Sequence, residues 1–185
     1  MDPLLLLKTL DKNSQAPLKS IINKIDKNQR ISSDEGLFLY EKTDLSILGF
    51  LANTIREKLN NNRAFFNKNL HIEPTNICVY QCKFCSYSRK KGESGSWNFS
   101  LEQIEKIAQA FRKKNITEIH ITGGVHPDFS LEYYKKLFGK LKEIIPKIHI
   151  KALTAVEIHY LAKKAGLDYK NTLIQLKNSG LDSMP

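Results

Sequence analysis

The chain has 185 residues, 41% hydrophobic and 26% charged, a composition that can bury a core and excludes collagen-like and wholly disordered chains. No apolar run reaches the ~20 residues of a membrane-spanning helix. Leu4–Leu7 is short, follows Asp2 and lacks a small-residue cleavage site, so it does not read as a signal peptide and the cytoplasm is the expected compartment. Basic residues number 29 against 19 acidic, a net charge of +10, with the larger share of the excess in residues 71–185. The excess is scattered in pairs such as Lys113-Lys114, Lys135-Lys136 and Lys163-Lys164, without an RNP motif or a zinc-finger pattern. That distribution argues against a nucleic-acid partner. It fits solvated helix faces, or a basic mouth for an anionic small molecule.

Residues 1–68 read as a helical N-terminal region. Asp2 and Pro3 suit a cap and first turn. Leu18, Ile21, Ile22 and Ile25 fall at helical spacing after Pro17. Ser32 and Glu35 form a capping-box pattern before Leu37, Leu39 and Tyr40. Asp44 caps the next predicted helix, with Leu48, Leu51, Ala52, Ile55 and Leu59 as its apolar face, and Asn60-Asn61-Asn62 ends it.

Residues 69–185 change character. The alternating run from Asn69 to Thr75 predicts a strand, followed by a long loop holding all three cysteines. Ser100 and Gln103 cap a helix with Leu101, Ile104, Ala108 and Phe111 inward. Thr117 to Thr122 predicts a second strand, ended by Gly123-Gly124. Ser130 starts a helix with Leu131, Tyr134, Leu137, Phe138 and Leu141 inward, stopped by Pro146. Lys147 to Leu153 predicts a third strand. Thr154 and Glu157 cap a short helix ending at Gly166, and Asp168 starts another, with Leu173 and Leu176 inward and Gly180 as its stop. Leu181 to Met184 reads as the start of a fourth strand. Strands alternating with helices at this spacing predict an α/β fold with a parallel sheet. A doubly wound sheet and a (β/α) barrel both fit. A closed barrel typically takes ~250 residues, so three complete units are expected to be the N-terminal part of a longer protein. Alone, such a piece is expected to be inactive and poorly stable, with an open sheet edge.

The chemistry centres on Cys78-Val-Tyr-Gln-Cys82-Lys-Phe-Cys85. A disulfide would leave one thiol over and is disfavoured in the cytoplasm. Structural zinc wants a second ligand pair that does not follow. A Cys-x-x-Cys redox site lacks its usual context. Three thiolates on one loop suit a [4Fe–4S] cluster with one iron left open for a bound molecule, on a loop after the first strand, where active-site loops of barrels lie.

The Cys-x3-Cys-x2-Cys spacing, with the aromatic Phe84 before its last cysteine, resembles the signature of the radical S-adenosylmethionine (SAM) superfamily. The resemblance implies a full or partial (β/α) TIM-type barrel, with Cys78, Cys82 and Cys85 holding a [4Fe–4S] cluster. The open iron then binds SAM, which is cleaved to methionine and a 5′-deoxyadenosyl radical. It further implies that Gly123 and Gly124, at a strand end, contact the SAM amino group. Val125 stands where the superfamily often has Glu. Finer stretches, His71-Ile-Glu-Pro-Thr-Asn76, Cys85-Ser-Tyr-Ser-Arg89, Gly123-Gly-Val-His-Pro127 and Lys151-Ala-Leu-Thr-Ala-Val-Glu157, look like the aminofutalosine synthase family of menaquinone biosynthesis. The related dehypoxanthine futalosine cyclases and tyrosine-using FO synthase subunits share the cysteine spacing. The resemblance implies addition of the radical to 3-[(1-carboxyvinyl)oxy]benzoate, SAM as a consumed co-substrate, and an electron donor such as flavodoxin or ferredoxin.

Several side chains have two readings. His126 suits a substrate or radical-handling role, or a hydrogen bond within its loop. Phe84 and Tyr87 line the SAM adenine or pack the loop. Thr154 and Glu157 contact SAM or cap a helix. Arg89 meets a carboxylate or joins a solvated basic run, and Trp97 packs the cysteine loop on the following helix. His71, His120 and His149 lie within strand patterns and are read as structural. Oligomeric state is not set by the sequence.

Overall fold

Helical spacing of apolar residues builds the first part of the chain, and alternation with β-branched residues builds the second. The computed structural model describes residues 12–185, with side chains from residue 16 onward. The Asp2–Pro3 cap and the Leu4–Leu7 run lie outside the described residues. The chain divides into two compact units between Phe65 and Phe66.

The first unit contains α1 (Lys12–Asp26), α2 (Ser33–Lys42) and α3 (Leu45–Asn60). Leu18, Ile21, Ile22 and Ile25 of α1 meet Leu39 of α2 and Ile47 and Leu51 of α3 in one core. The Ser32–Glu35 capping box and the Asp44 cap form as their side chains dictate. Asn61, at φ 53°, ends α3 in a region that asparagine enters more easily than most residues. Three expectations need correction. Helix α1 starts upstream of Pro17, which sits inside it. In α2 only Leu39 is buried, while Leu37 and Tyr40 are exposed. In α3 the buried stripe is Ile47 and Leu51. Leu48, Ala52, Ile55 and Leu59 instead line an open groove of about 530 Å³.

The second unit carries β1 (Asn69–Ile72), α4 (Leu101–Phe111), β2 (Glu118–Ile121), α5 (Leu131–Ile144), β3 (His149–Ala152), α6 (Ala155–Ala165) and α7 (Tyr169–Asn178). The strands form one parallel sheet in the order β1-β2-β3. A parallel bridge from Lys151 to Ser183 then lays the segment after α7 beside β3. In a doubly wound sheet the order reverses, so that a later strand returns beside the first. Here each new strand adds to the outer edge of the last, as in the wall of a (β/α) barrel. The choice that the sequence left open falls to a partial barrel wall.

Each strand is shorter than expected, with reasons visible at both ends. Pro74 has no N–H to continue β1. The Ile148 N–H turns back to the Ile145 carbonyl before β3, and Leu153, at φ 64°, breaks the extended backbone after it. Leu70, Ile72, Ile119, Ile121, Ile150 and Ala152 share one sheet face and pack with Ile104 and Ala108 of α4 and Leu137, Phe138 and Leu141 of α5. Burial of that apolar surface is the main stabilising term of the unit. The caps Ser100, Ser130, Thr154 and Asp168 all form, and Gly166 closes α6 in the left-handed region.

Candidate functional site

The cysteine loop leaves the C-terminal end of β1, the end at which barrels place their active sites. Its entry is tightly hydrogen-bonded. The Thr75 hydroxyl donates to the Trp97 carbonyl at 2.8 Å and accepts the Ile77 N–H at 3.0 Å. Buried Asn76 ties both ends of the loop together. Its side chain donates to the Gly95 carbonyl and accepts the Trp97 N–H, while its carbonyl accepts the Arg89 N–H. The Cys78 N–H in turn reaches the Arg89 carbonyl at 3.0 Å. Thr75 and Asn76 received no role in the sequence reading. The signal was present in Pro74-Thr75-Asn76, since Thr and Asn after Pro favour turns closed by their own side chains.

The three thiols sit on this frame. Cys82 is exposed, Cys78 and Cys85 are half-buried, and all are free. The Cys85 N–H bonds the Cys82 carbonyl at 3.0 Å, a tight turn that sets the last two cysteines side by side. The Ser88 N–H, then its hydroxyl, then the Tyr87 N–H hold the Cys85 thiol below its ordinary range, with a smaller pull from Arg89. Those groups favour the thiolate, the form that binds iron. Among the described residues no three Cys, His, Asp or Glu side chains gather closely enough to hold a single metal ion. A cuboidal cluster makes a different demand, one thiolate for each of three irons. Three accessible cysteines on one loop, with Cys85 biased toward its thiolate, fit that group.

The glycine pair packs closely on the segment that enters the cysteine loop. A Cβ at Gly124 would overlap the Ile77 carbonyl, and one at Gly123 would lie 2.7 Å from the Thr75 oxygen. The Gly124 N–H already donates to the Thr75 carbonyl at 2.8 Å. The close approach that requires glycine is therefore made by the cysteine loop itself. The Val79 N–H adds a bond to the Val125 carbonyl at 2.9 Å, and Lys91 pairs with Asp128 at 2.5 Å. The β2 end thus clamps the cysteine loop from below.

The remaining candidates divide. Phe84 is 91% exposed, free to meet a ligand rather than packing the loop. The Tyr87 hydroxyl donates to the Glu73 carboxylate at 3.1 Å, and burial, then that carboxylate, holds the phenol above its ordinary range. Tyr87 also meets Trp97 edge-on, and Trp97 meets Phe99, which packs on the core beneath. Trp97 joins loop to core in this way. The Arg89 guanidinium donates to the Ser86 and Ser88 carbonyls at 2.9 Å and braces the cysteine loop.

His126 is turned inward. It is 5% exposed, its ring stacks on Phe129 at 4.4 Å, and its Nδ1 accepts the Asp128 N–H at 3.1 Å. The cavity beside it, between Phe129, Tyr134, Glu157 and Tyr160, measures only about 10 Å³, too small for a ligand. Burial lowers its pKa and favours the neutral ring. The bond from the Asp128 N–H closes the turn within its own loop. Thr154 and Glu157 form a complete capping box, the Glu157 carboxylate accepting the Thr154 N–H at 2.7 Å and its hydroxyl at 2.9 Å. Both Thr154 contacts go to the cap. Burial raises the Glu157 pKa against the opposing pull of those hydrogen bonds.

Among the described residues no helix is long and apolar enough to cross a membrane. Residues 72–184 match the radical SAM superfamily. The chain is 38% identical over 165 residues to an aminodeoxyfutalosine synthase of Thermus thermophilus, covering 89% of this chain and 44% of that protein. It is 35% identical to the aminodeoxyfutalosine synthase of Streptomyces coelicolor, covering 90% and 43%. It is 30% identical to a 5-amino-6-(D-ribitylamino)uracil–L-tyrosine 4-hydroxyphenyl transferase of Methanosphaerula palustris, covering 90% and 46%. The chain thus spans less than half the length of these curated relatives. Among solved structures, the FeFe-hydrogenase maturase HydG of Carboxydothermus hydrogenoformans superposes with a TM-score of 0.61 at 22% identity, over 98% of this chain and 50% of that one. That likeness concerns the fold alone. With a family match that begins on β1, runs through the three cysteines and ends in the segment bridged to β3, the chain belongs to the radical SAM superfamily.

Proposed function

We propose that the protein is the radical SAM enzyme that joins the 5′-deoxyadenosyl group of SAM to the vinyl carbon of 3-[(1-carboxyvinyl)oxy]benzoate. Rearrangement with loss of the carboxyl carbon then gives 6-amino-6-deoxyfutalosine. The observation that carries this reading is identity of 35–38% to aminodeoxyfutalosine synthases along a chain that keeps all three cysteines on one braced loop. Cys78, Cys82 and Cys85 hold the [4Fe–4S] cluster. When bound, the cluster supplies the electron, drawn from a donor such as flavodoxin or ferredoxin, that splits SAM.

The chain's own residues have three tasks. Asn76, Thr75 and Arg89 fix the loop, so the three thiolates keep their spacing. The Ser88 and Tyr87 N–H groups stabilise the Cys85 thiolate. Exposed Phe84 offers an aromatic surface for the adenine of SAM, and the pairing of Tyr87 with Glu73 sets the rim beside it. The positive charge of the second unit favours approach of a dicarboxylate.

The test is anaerobic reconstitution of the protein at the full length of its reading frame, with iron and sulfide. The expected results are a reduced-cluster EPR signal that changes on adding SAM, and 6-amino-6-deoxyfutalosine by mass spectrometry when the enolpyruvyl benzoate is supplied. Identity of 30% to the tyrosine-using transferase defines the competing outcome. Consumption of L-tyrosine with the ribitylaminouracil, and not of the benzoate, overturns the assignment.

A further inference from the structure

Alternate residues of each strand point away from the helices, and on this sheet they are polar. Parallel sheets are ordinarily covered on both faces and read as continuous apolar runs. Here Asn69, Glu118 and His149 align across the three strands as one polar row, and His71, His120 and Lys151 as the next. The residue pattern reads these histidines as structural, and His71 and His149 each find a side-chain partner, but His120 does not. The His71 and His120 rings stack at 5.1 Å and 22°. His71 uses its Nε2 on the Thr122 hydroxyl at 3.0 Å. The His120 Nε2 is buried with no hydrogen-bond partner. Half-buried Lys151 has neither an ion pair nor a side-chain hydrogen bond among the described residues.

The adjoining row is satisfied by contrast. His149 bonds the Ser183 hydroxyl at 2.8 Å, and the Glu118 carboxylate accepts from Asn67 at 3.4 Å. A buried ring nitrogen left unpaired is costly, and an ammonium without a counter-ion beside it calls for negative charge.

We propose that the row His71–His120–Lys151 seats a carboxylate of the substrate, namely the ring carboxylate of the enolpyruvyl benzoate. The proposal rests on the function assigned above and adds a subsite to it. The row lies two residues below Glu73, about 6–7 Å down the strand from the rim of the cysteine loop. A carboxylate meta to the vinyl ether on a benzene ring suits that separation, the ring lying along the sheet and the vinyl carbon rising toward the loop. Lys151 supplies the charge, and a carboxylate seated on it lies against the His120 ring. His71, stacked on His120 and held by Thr122, fixes the plane of the second ring.

Two measurements on the full-length reconstituted protein test the row. In the first, sodium benzoate is titrated into the oxidised protein and the imidazole nitrogens are followed by 15N NMR. A saturable shift of the His120 nitrogens, lost in Lys151→Met, supports the row; no shift overturns it. In the second, calorimetry without reductant compares the enolpyruvyl benzoate with its analogue lacking the ring carboxylate. Lys151→Met is expected to weaken binding of the first by about 10- to 100-fold and to leave the second unchanged, with Lys151→Arg restoring most of the loss. Equal effects on both compounds, or none, overturn the subsite. A benzoate shift without turnover of the enolpyruvyl compound counts against the assigned reaction and keeps the row. Turnover without a benzoate shift does the reverse.

Discussion

Ile119, Ile121, Ile150 and Ala152 are at most 1% exposed under α4 and α5, while one residue along the same strands His120 and Lys151 stand half-buried on the other side. The covered face is made of interchangeable apolar bulk whose task is to exclude water. The opposite face carries imidazoles, an ammonium and a carboxylate, and among the described residues the His120 Nε2 and the Lys151 ammonium find no partner there. The two faces share backbone, register and hydrogen bonds, so what differs is side-chain chemistry. Stability belongs to the first face, and the proposed ligand chemistry to the second and to the loop above it. Substitutions on each side can break that division.

The largest effect is expected on the covered face. Phe138 is fully buried and packs on the strand isoleucines. Phe138→Ala should cost about 3–5 kcal/mol in denaturant unfolding. A loss under ~1 kcal/mol would mean that this face is not the seat of stability.

Next comes Gly124, where β2 meets the cysteine loop. Gly124→Ala pushes a methyl group into the Ile77 carbonyl. It should cost about 1–3 kcal/mol and lower the iron bound per protein, because the displaced segment leads directly into Cys78. Full iron content in a stably folded variant would show that the clamp does not position the cysteines.

Much of this arrangement was legible in the residues. Six helix caps, from Ser32 to Asp168, could be read because a side-chain oxygen two or three residues before a backbone N–H is a local geometry. The parallel sheet followed from alternating strands and helices, and the three cysteines from spacing alone. Sequence could not say what the glycines approach. Gly123 and Gly124 signal only that something comes close, and the neighbour proved to be Thr75–Ile77, some 50 residues away. His126 lies at the active-site end of β2, yet its direction is set by Phe129 and by a turn that no periodicity reveals. Strand ends were overestimated because alternation persists through Pro74 and Leu153, where the backbone leaves the sheet. The polar row His71–His120–Lys151 appears only once register aligns three strands.

A smaller effect tests the β3 end, where two readings met. Glu157 is buried, and its pKa is raised above the ordinary carboxyl value. The native state therefore holds this proton more tightly than the unfolded chain does. That contribution to stability is complete below the unfolded value and is lost as pH rises through the folded one. Glu157→Gln keeps an oxygen to accept from Thr154 and cannot ionise. Its stability relative to the native protein should improve from acidic toward neutral pH. A gap that stays constant with pH would show that Glu157 is not held against ionisation. Thr154→Ala, which removes the cap, should cost about 1 kcal/mol.

The smallest expected change in stability is at Lys151, and its smallness is what the comparison requires. Lys151 follows directly on Ile150, a core residue with no exposure. Its own ammonium touches nothing that the fold needs among the described residues. Lys151→Met should stay within about 0.5 kcal/mol of the native protein, and removing an uncompensated charge beside His120 can make it slightly more stable. Ile150→Ala, one position away, should cost about 2–5 kcal/mol. A contrast that large between adjacent residues on one strand arises only if the sheet has a structural face and a face kept polar for another purpose. If Lys151→Met instead destabilises as much as Ile150→Ala, the lysine is part of the packing and the polar row is a structural layer of the barrel interior.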